Sequence, residues 1–421
     1  MKLLRQIKSG IKFKKPILAL GGELKANFCI AKNNFLFFSN SFGDLEDPRN
    51  LEMFEKGLRN SLKSLKAIPK IIAYDLHPEY LSSKLARELG PRDTTHIGVQ
   101  HHHAHIASCM FDNNIYGKVI GICFDGTGFG LDGNLWGAEF LMADFSSFKR
   151  VAHLEYIPLV GGAKAIEEPY RVAFAWLYKI YKDKLFKLNI DFVKRLDKAN
   201  CQVFKQMLKN NFNCPLSSSI GRLFDSISSL LGLADISHFE AEPAMKLEKI
   251  ADLATRAPLR RSLSRLAPRC LESKRSAPRR AKSRDSGQAS HPAWPAGRQV
   301  AGYSYKINLD NGIYIIDPKP MFKDIIKDLG KKVSVNEIAL KFHYAVIGMM
   351  KDTCRLIRRK TRLNTVVLSG GVFQNQILRE GAIKILEKEG FKVFSHAKFS
   401  TTDASISLGQ ALIANKLYRE V

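Results

Sequence analysis

Apolar residues along the chain follow two different periods. Around residues 17–20 and again at 119–124 they run almost unbroken for several positions, as strands covered on both faces do. In LEMFEKGLRNSLKSL and PYRVAFAWLYKIYKDKL they recur every three to four residues, which predicts amphipathic helices. Strand and helix signals alternate, so the chain reads as an α/β protein. Two stretches, residues 17–40 and 119–143, share one plan. Each is an apolar strand, a Gly-rich turn, then further strand with a turn signal, Asn33-Asn34 in the first and Asp132-Gly133 in the second. The repetition predicts two similar halves, residues 16–115 and 116–421, although two unrelated hairpins would leave the same local pattern. Later, YSYKINLDNGIYIID predicts a strand, a turn at Asp310-Asn311-Gly312, and a second strand.

One segment breaks every period. Between Thr255 and Gly302 arginine replaces lysine, prolines recur, and ten Arg and two Lys face only Glu272 and Asp285, a local excess of +10. Such a stretch has no core to join and is expected to be a disordered basic insertion. It also changes the meaning of the net charge of +26, which would otherwise suggest nucleic acid. Much of the charge sits in one segment outside the predicted core, so an RNA-binding role is the less favoured reading. The seven cysteines are scattered and never spaced as CxxC, which excludes a disulfide framework or a cysteine zinc knuckle and points to a reducing cytoplasm. No stretch approaches the ~20 apolar residues of a membrane span. At 421 residues and 45% hydrophobic, the chain has material for two or three cores, and global disorder is excluded.

The strongest chemical signal is VQHHHAHIASCMFDNN. At 100° per residue, His101 and His105 lie about 40° apart on one helix face, and His102 and His103 point elsewhere. The i, i+4 pair is fit to share one ion, zinc or iron by the preference of imidazole, with a carboxylate from a distant loop. Asp125, at the end of the strand in ICFDGTGFG, is an acid that packing cannot explain. Gly126, Gly128 and Gly130 would let backbone N–H groups approach phosphate, and Thr127 adds a hydroxyl. A turn that only closes a hairpin is the plain alternative. TVVLSGGVFQNQIL predicts a strand ending at Ser369, a turn at Gly370-Gly371, and a helix, with Asn375 and Gln374 as donors to a base or ribose. The alternative is a turn that simply needs small residues. Asp403 precedes an apolar helix, so it reads as an N-cap or a metal ligand. Arg222 and Asp225 share a helix face and read as a surface ion pair. Lys164, Glu168 and Arg171 follow a Gly-Gly turn in a loop suited to an anionic substrate.

Taken in order, GGELKANFCIA, GDLED, YDLHPEYLSS, VQHHHAHIAS, FDGTGFGLDGNLWGAEF, PLVGGAKAIEEPYR, SSIGRLFDSISSLLGL, LSGGVFQNQIL and ISLGQAL resemble the motifs of the C-terminal Kae1-like module of the HypF carbamoyltransferases of NiFe-hydrogenase maturation. The resemblance runs from about residue 16 to the end, apart from 255–302. It implies two actin-like (ASKHA) halves around a nucleotide and metal cleft, with Gly-rich turns straddling phosphates. It implies His101, His105, Asp125 and Asp403 as metal ligands, and Asp125 with Lys164 in catalysis, Lys164 on the carbamoyl substrate. Gly126, Thr127, Gly128, Asp225, Ser369, Gly370, Gly371 and Asn375 would contact ATP or carbamoyl adenylate. The implied reaction passes a carbamoyl group from the adenylate to the C-terminal cysteine of the partner HypE. The adenylate would come from a YrdC-like and zinc-finger unit that this sequence does not contain. A small-molecule O-carbamoyltransferase and a tRNA threonylcarbamoyl transferase of the Kae1/TsaD type are the alternatives within the same fold. The family usually has an acid where Ala163 stands, Glu-Gly-Gln where this chain has Glu240-Ala241-Glu242, and Asn-Asp-Gly-Gly where it has Thr402-Asp403-Ala404-Ser405. The last change is expected to crowd the phosphates.

Overall fold

The computed structural model describes residues 4–264 and 302–418. Strands β1 (Leu4–Ala19) and β2 (Cys29–Ser39) pair antiparallel, and β3 (Ile71–Asp75) and β4 (Thr95–Val99) add in parallel, giving the order β2-β1-β3-β4. Helices α1 (Pro48–Ser64) and α2 (Leu81–Glu88) form the crossovers. The Asp47 side chain caps α1 by accepting from the Arg49 N–H, and Phe54 and Leu58 bury against Leu18, Phe28 and Ile72. Helix α3 (His101–Asp112) leads into the second sheet, opened by the meander β5 (Val119–Phe129), β6 (Leu135–Ala143) and β7 (Phe148–Leu154). A short pair, β8 (Ile157–Pro158) and β9 (Leu216–Ser217), flanks it. Between and after these two come helices α4 (Lys164–Glu167), α5 (Tyr170–Tyr181), α6 (Asp191–Arg195), α7 (Lys198–Asn210), α8 (Ile220–Leu230) and α9 (Glu242–Ser264). The hairpin β10 (Lys306–Asp310) and β11 (Ile313–Asp317) is followed by α10 (Lys319–Gly330), α11 (Val335–Thr361), β12 (Thr365–Ser369), α12 (Gln376–Lys388), β13 (Lys392–Ser395) and α13 (Ile406–Leu417). The second sheet runs β10-β11-β7-β6-β5-β12-β13.

The duplication is visible in the pairing. β2-β1-β3-β4 and β6-β5-β12-β13 are each an antiparallel pair followed by two parallel strands. The turn at Asn311-Gly312 forms as expected, both residues at positive φ. Three details differ. β1 begins at Leu4, so the basic start of the chain joins the first sheet. Asn33 closes no turn. It lies inside β2 at φ 59°, where the β1–β2 pairing shifts register, because β1 carries extra residues that the left-handed Asn33 accommodates. Helix α9 continues to Ser264, into the segment expected to be unstructured from 255, since extending an existing helix needs no new nucleus. The rest of that expected insertion lies outside the described residues.

Helices α3 and α13 lie between the two sheets. Ile106, Ala107 and Met110 of α3 meet Leu408, Ala411 and Leu412 of α13, with Ile17 and Ile71 from one sheet and Val119 and Val367 from the other. The helix that ends the sequence thus packs on the first sheet, across the division at 115/116. The approach is close enough to dictate a residue. A Cβ at Gly409 would stand 1.9 Å from the Ala104 carbonyl oxygen, and the neighbouring backbone cannot yield without parting the helices. Gly409→Ala is expected to destabilise the protein by about 1–3 kcal/mol in denaturant unfolding, as overpacked cores do. An unchanged midpoint would mean that the two helices can slide apart freely.

Candidate metal and nucleotide site

Helix α3 starts at its histidines because Gln100 caps it, its side-chain oxygen accepting from the His103 N–H at 2.9 Å. Being sandwiched, α3 buries His101, His102, His103 and His105 alike. His101 and His105 turn one face toward the ends of β5 and of the loop before α13, where Asp125 and Asp403 meet them. The Nε2 atoms of His101 and His105 lie 3.2 and 3.3 Å from Asp125 Oδ2, and 3.8 and 3.4 Å from Asp403 Oδ1. One ligand atom from each residue falls within 4.8 Å of all the others. A tetrahedral site with bonds of ~2.05 Å has ligand-to-ligand edges of about 3.3 Å, so these donors suit zinc-sized coordination. Neither ring nitrogen of His105, though fully buried, has a hydrogen-bond partner. Burial alone would raise the Asp125 carboxyl, but the adjoining imidazoles of His101 and His105 overcome it and hold it well below the usual range.

Asp75 completes this cluster from behind, with its Oδ2 2.8 Å from His101 Nδ1 and both side chains excluded from solvent. Sequence reasoning passed it over. The signal was there, since Asp75 ends an apolar strand, IIAYD, as Asp125 ends ICFD. Tyr80 and Glu23 were missed as well. Tyr80 lines the adjoining cleft and stacks on His77 at 4.0 Å. Glu23, in the first Gly-rich turn, is 5% exposed and points at the start of α2, where the Ser82 N–H lies 3.4 Å from Oε2.

The cleft beside the cluster has a volume of about 320 Å³ and is lined by Asp125, Gly126, Thr127, Arg222, Asp225 and Asp403, among others. Arg222 and Asp225 are no surface pair. They are 2.7 Å apart and nearly solvent-free, because α8 is buried along its whole length. Asp225 Oδ1 and Arg222 Nε have no partner, and burial, only partly offset by Arg222, pushes the Asp225 carboxyl up to about 6. Thr127 likewise has no hydrogen-bond partner among the described residues. Across the rim, Lys25 from the first turn reaches Glu240 at 2.6 Å. A second cavity of about 510 Å³ adjoins along Phe239, between α9 and the start of α12.

Other expected contacts are spent inside the protein. The Gly126 N–H donates to Asp125 Oδ1 at 2.9 Å, while the space beside Gly126 stays open. Gly128 is small because the His101 and His102 rings lie 2.9 and 2.5 Å from where its Cβ would be, which is a packing reason and not a phosphate one. The Gly370 N–H donates to Thr401 O and the Gly371 N–H to Asp125 Oδ1, so the Gly-Gly turn is used to seat β12 against β5. Ser369 Oγ bonds His396 Nε2 at 2.9 Å. Asn375 caps α12 through Leu378 and its Nδ2 meets His343, which uses one of its two donors and one of its two lone pairs inside the protein. In the first turn, the Gly21 N–H and carbonyl are both held by the Gln410 amide. Lys164 lies outside the cleft lining, half exposed, with Nζ 2.7 Å from Glu167, because α4 directs it along its own turn.

Residues 12–112 match the HypF Kae1-like domain, and residues 121–293 and 287–410 match the second subdomain of the carbamoyltransferase Kae1-like domain. The chain belongs to the HypF carbamoyltransferase family. It is 30% identical over 402 residues to the carbamoyltransferase HypF homolog of Cupriavidus necator, covering 95% of this chain and 91% of that protein. It is 29% identical to carbamoyltransferase HypF2 of the same organism, with 94% of this chain and 46% of the relative aligned. The crystal structure of full-length HypF in its phosphate- and nucleotide-bound form superposes with a TM-score of 0.82 at 35% identity, over 98% of this chain and 57% of that one. The chain therefore spans about half the length of several HypF relatives it matches.

Glu23 provides a test of the electrostatics beside the site. Burial, opposed by the Ser82 and Leu81 N–H groups, pushes its carboxyl up to about 7 from an ordinary 4.5. A raised folded-state value means that stability is intact below about pH 4.5 and lost as pH rises through 7. Glu23→Gln is uncharged throughout. Relative to the unaltered chain, it is expected to gain on the order of 2–3 kcal/mol between pH 4.5 and 8, read by unfolding at both pH values. A pH-independent difference would count against the raised value.

Proposed function

We propose that this chain transfers a carbamoyl group from carbamoyl adenylate to the C-terminal cysteine thiolate of HypE, a step toward the cyanide ligands of NiFe hydrogenases. The observation that carries the reading is the convergence of His101, His105, Asp125 and Asp403 at the floor of a cleft in a HypF-family chain. In the reaction the thiolate attacks the carbamoyl carbon, a C–S bond forms, the C–O bond to the adenylate phosphate breaks, and AMP leaves. The adenylate is taken to come from a YrdC-like adenylating unit.

The chain's own residues supply the setting. His101, His105, Asp125 and Asp403 would hold zinc or iron, and the orphaned Nε2 of His105 is what such an ion would satisfy. Bound there, the ion supplies Lewis acidity for an acyl or phosphate oxygen. Asp225, Arg222 and Thr127 line the cleft, where the acid would accept from a ribose hydroxyl and the guanidinium and the Thr127 hydroxyl would donate to adenylate oxygens. The acceptor thiol is external. Burial pushes the thiols of Cys29, Cys109, Cys123 and Cys354 well above their ordinary range, so none of them is poised as a nucleophile. The six described cysteines are all buried free thiols, which agrees with a reducing cytoplasm, and no described helix is long and apolar enough to cross a membrane.

Given carbamoyl adenylate and HypE, the chain should carbamoylate the HypE C-terminal cysteine, detected by mass spectrometry. Failure with HypE but transfer to a sugar hydroxyl, or to tRNA, would replace this substrate assignment. The His101→Ala, His105→Ala double variant should lose its bound metal and slow transfer by at least about a hundredfold, the scale of losing a preorganised charge stabiliser. Metal content equal to that of the unaltered chain would remove the metal assignment.

A further inference from the structure

We propose that Asp75 is a positioning residue that fixes the proton of His101 on Nδ1, keeps Nε2 bare toward Asp125 and Asp403, and thereby decides whether the four-residue cluster can take up a metal. The inference rests on the metal reading above. Asp75 is the last residue of β3, and its carbonyl accepts from the Ser83 hydroxyl at 2.7 Å, which anchors the strand end to α2. Both of its carboxylate oxygens are engaged. Oδ1 accepts from the backbone N–H of His77 at 2.9 Å and Oδ2 lies 2.8 Å from His101 Nδ1. A carboxylate only accepts, so the shorter contact places a proton on Nδ1, and in the neutral ring that ligation requires this leaves Nε2 bare for an ion shared with Asp125 and Asp403. This is the carboxylate–histidine pairing that fixes ligand tautomers at metal centres. His105 has no such guide, since neither of its ring nitrogens has a hydrogen-bond partner. The orientation of the pair therefore depends on Asp75.

The geometry yields an unusual order of variants. Asn at 75 offers one acceptor and one donor where Asp offers two acceptors. The His77 backbone N–H cannot reverse its polarity, so it claims the amide oxygen. The amide NH2 then faces His101 Nδ1, which must become the bare nitrogen, and the proton moves to Nε2, the nitrogen required for ligation. Alanine leaves Nδ1 without a partner and lets the two tautomers exchange. The isosteric variant should accordingly bind metal worse than the truncated one. A residue that merely fills space and holds β3 would give the opposite order, because Asn preserves the volume and the His77 contact.

The experiment is zinc titration of the full chain and of Asp75→Ala and Asp75→Asn against a chromophoric chelator, with thermal unfolding of each metal-free protein. Expected are losses of zinc affinity of about tenfold for Asp75→Ala and about a hundredfold for Asp75→Asn, the range of losing a ligand's supporting hydrogen bond. In metal-free Asp75→Asn, long-range nitrogen–proton NMR correlation should show neutral His101 protonated on Nε2. Asp75→Asn should melt closer to the unaltered chain than Asp75→Ala does, so that its weaker binding cannot be laid to misfolding. Zinc binding by Asp75→Asn equal to that of the unaltered chain, or tighter than that of Asp75→Ala, would overturn the proposal. An unaltered chain that holds no zinc would remove the metal reading, and this inference with it.

Discussion

Two carboxylates cannot sit together inside a protein without positive charge beside them, and the architecture of this chain is arranged around meeting that requirement at Asp125 and Asp403. At 3.3 Å and an effective dielectric of 20, one carboxylate–imidazolium contact is worth roughly 5 kcal/mol, while removing each ion from water costs several. Protonated histidines would thus come close to balancing the two acids, and with the neutral histidines that ligation requires a bound cation would supply that charge instead. Each partner arrives on a different element. α3 brings both histidines, β5 brings Asp125, the turn before α13 brings Asp403, and β3 brings Asp75 behind them. The site exists only when both sheets close on the α3–α13 layer, which is why Gly409 against Ala104 and Gly128 against the histidine rings admit no side chain.

The strand that carries Asp125 is braced on its far side. Arg150 forks onto Glu139 at 2.6 and 3.0 Å, reaches Tyr156 at 2.7 Å, and lies over the Trp136 ring at 4.0 Å. Ser218 donates to the same Glu139 at 2.6 Å, and Ser219 donates to the Asp125 carbonyl at 3.0 Å while capping α8. Helix α8 in turn carries Arg222 and Asp225. Asp225 and Asp125 are therefore set by one hydrogen-bonded chain rather than by two independent loops. Fully satisfied buried networks of this kind rigidify what they join.

Sequence made the repeated plan legible because strand pairs and turn residues are local. The helical spacing of His101 and His105 was likewise local, and it singled out the two histidines that converge. What stayed hidden depends on partners distant in sequence. Asn375 and Ser369 look like free ligand donors, and only the fold shows that each already has an imidazole partner, His343 and His396. Arg222 and Asp225 look like a surface pair until α8 is seen to be buried on every side. Asp75 carries no local mark beyond ending a strand, and its meaning comes from an imidazole 26 residues away. Asn33 misled for a different reason. A left-handed asparagine serves a bulge as well as a turn, and only the pairing of β1 tells them apart.

The departures from the family pattern fall unequally once the backbone is considered. Where the resemblance implies two glycines after Asp403, Ala404 and Ser405 lie in a short 3-10 turn, and neither has positive φ. The Ala404 carbonyl accepts from Asn27 Nδ2 at 2.6 Å, and Ser405 sits buried 3.2 Å from the Ser108 hydroxyl. Side chains there are absorbed by the protein rather than turned on a ligand, so the expected crowding of phosphates does not follow from these two residues. Ala241 is the costlier change. It stands at φ 63° where the family pattern has glycine, a conformation that costs an L-residue about 1–2 kcal/mol. It also adjoins Glu240, whose ion pair with Lys25 spans the rim of the cleft. That bridge is exposed on both sides and worth at most about 1 kcal/mol, which is no more than the strain beside it. The strain therefore falls at the cleft rim, beside Ala241, and not among His101, His105, Asp125 and Asp403, none of which has positive φ.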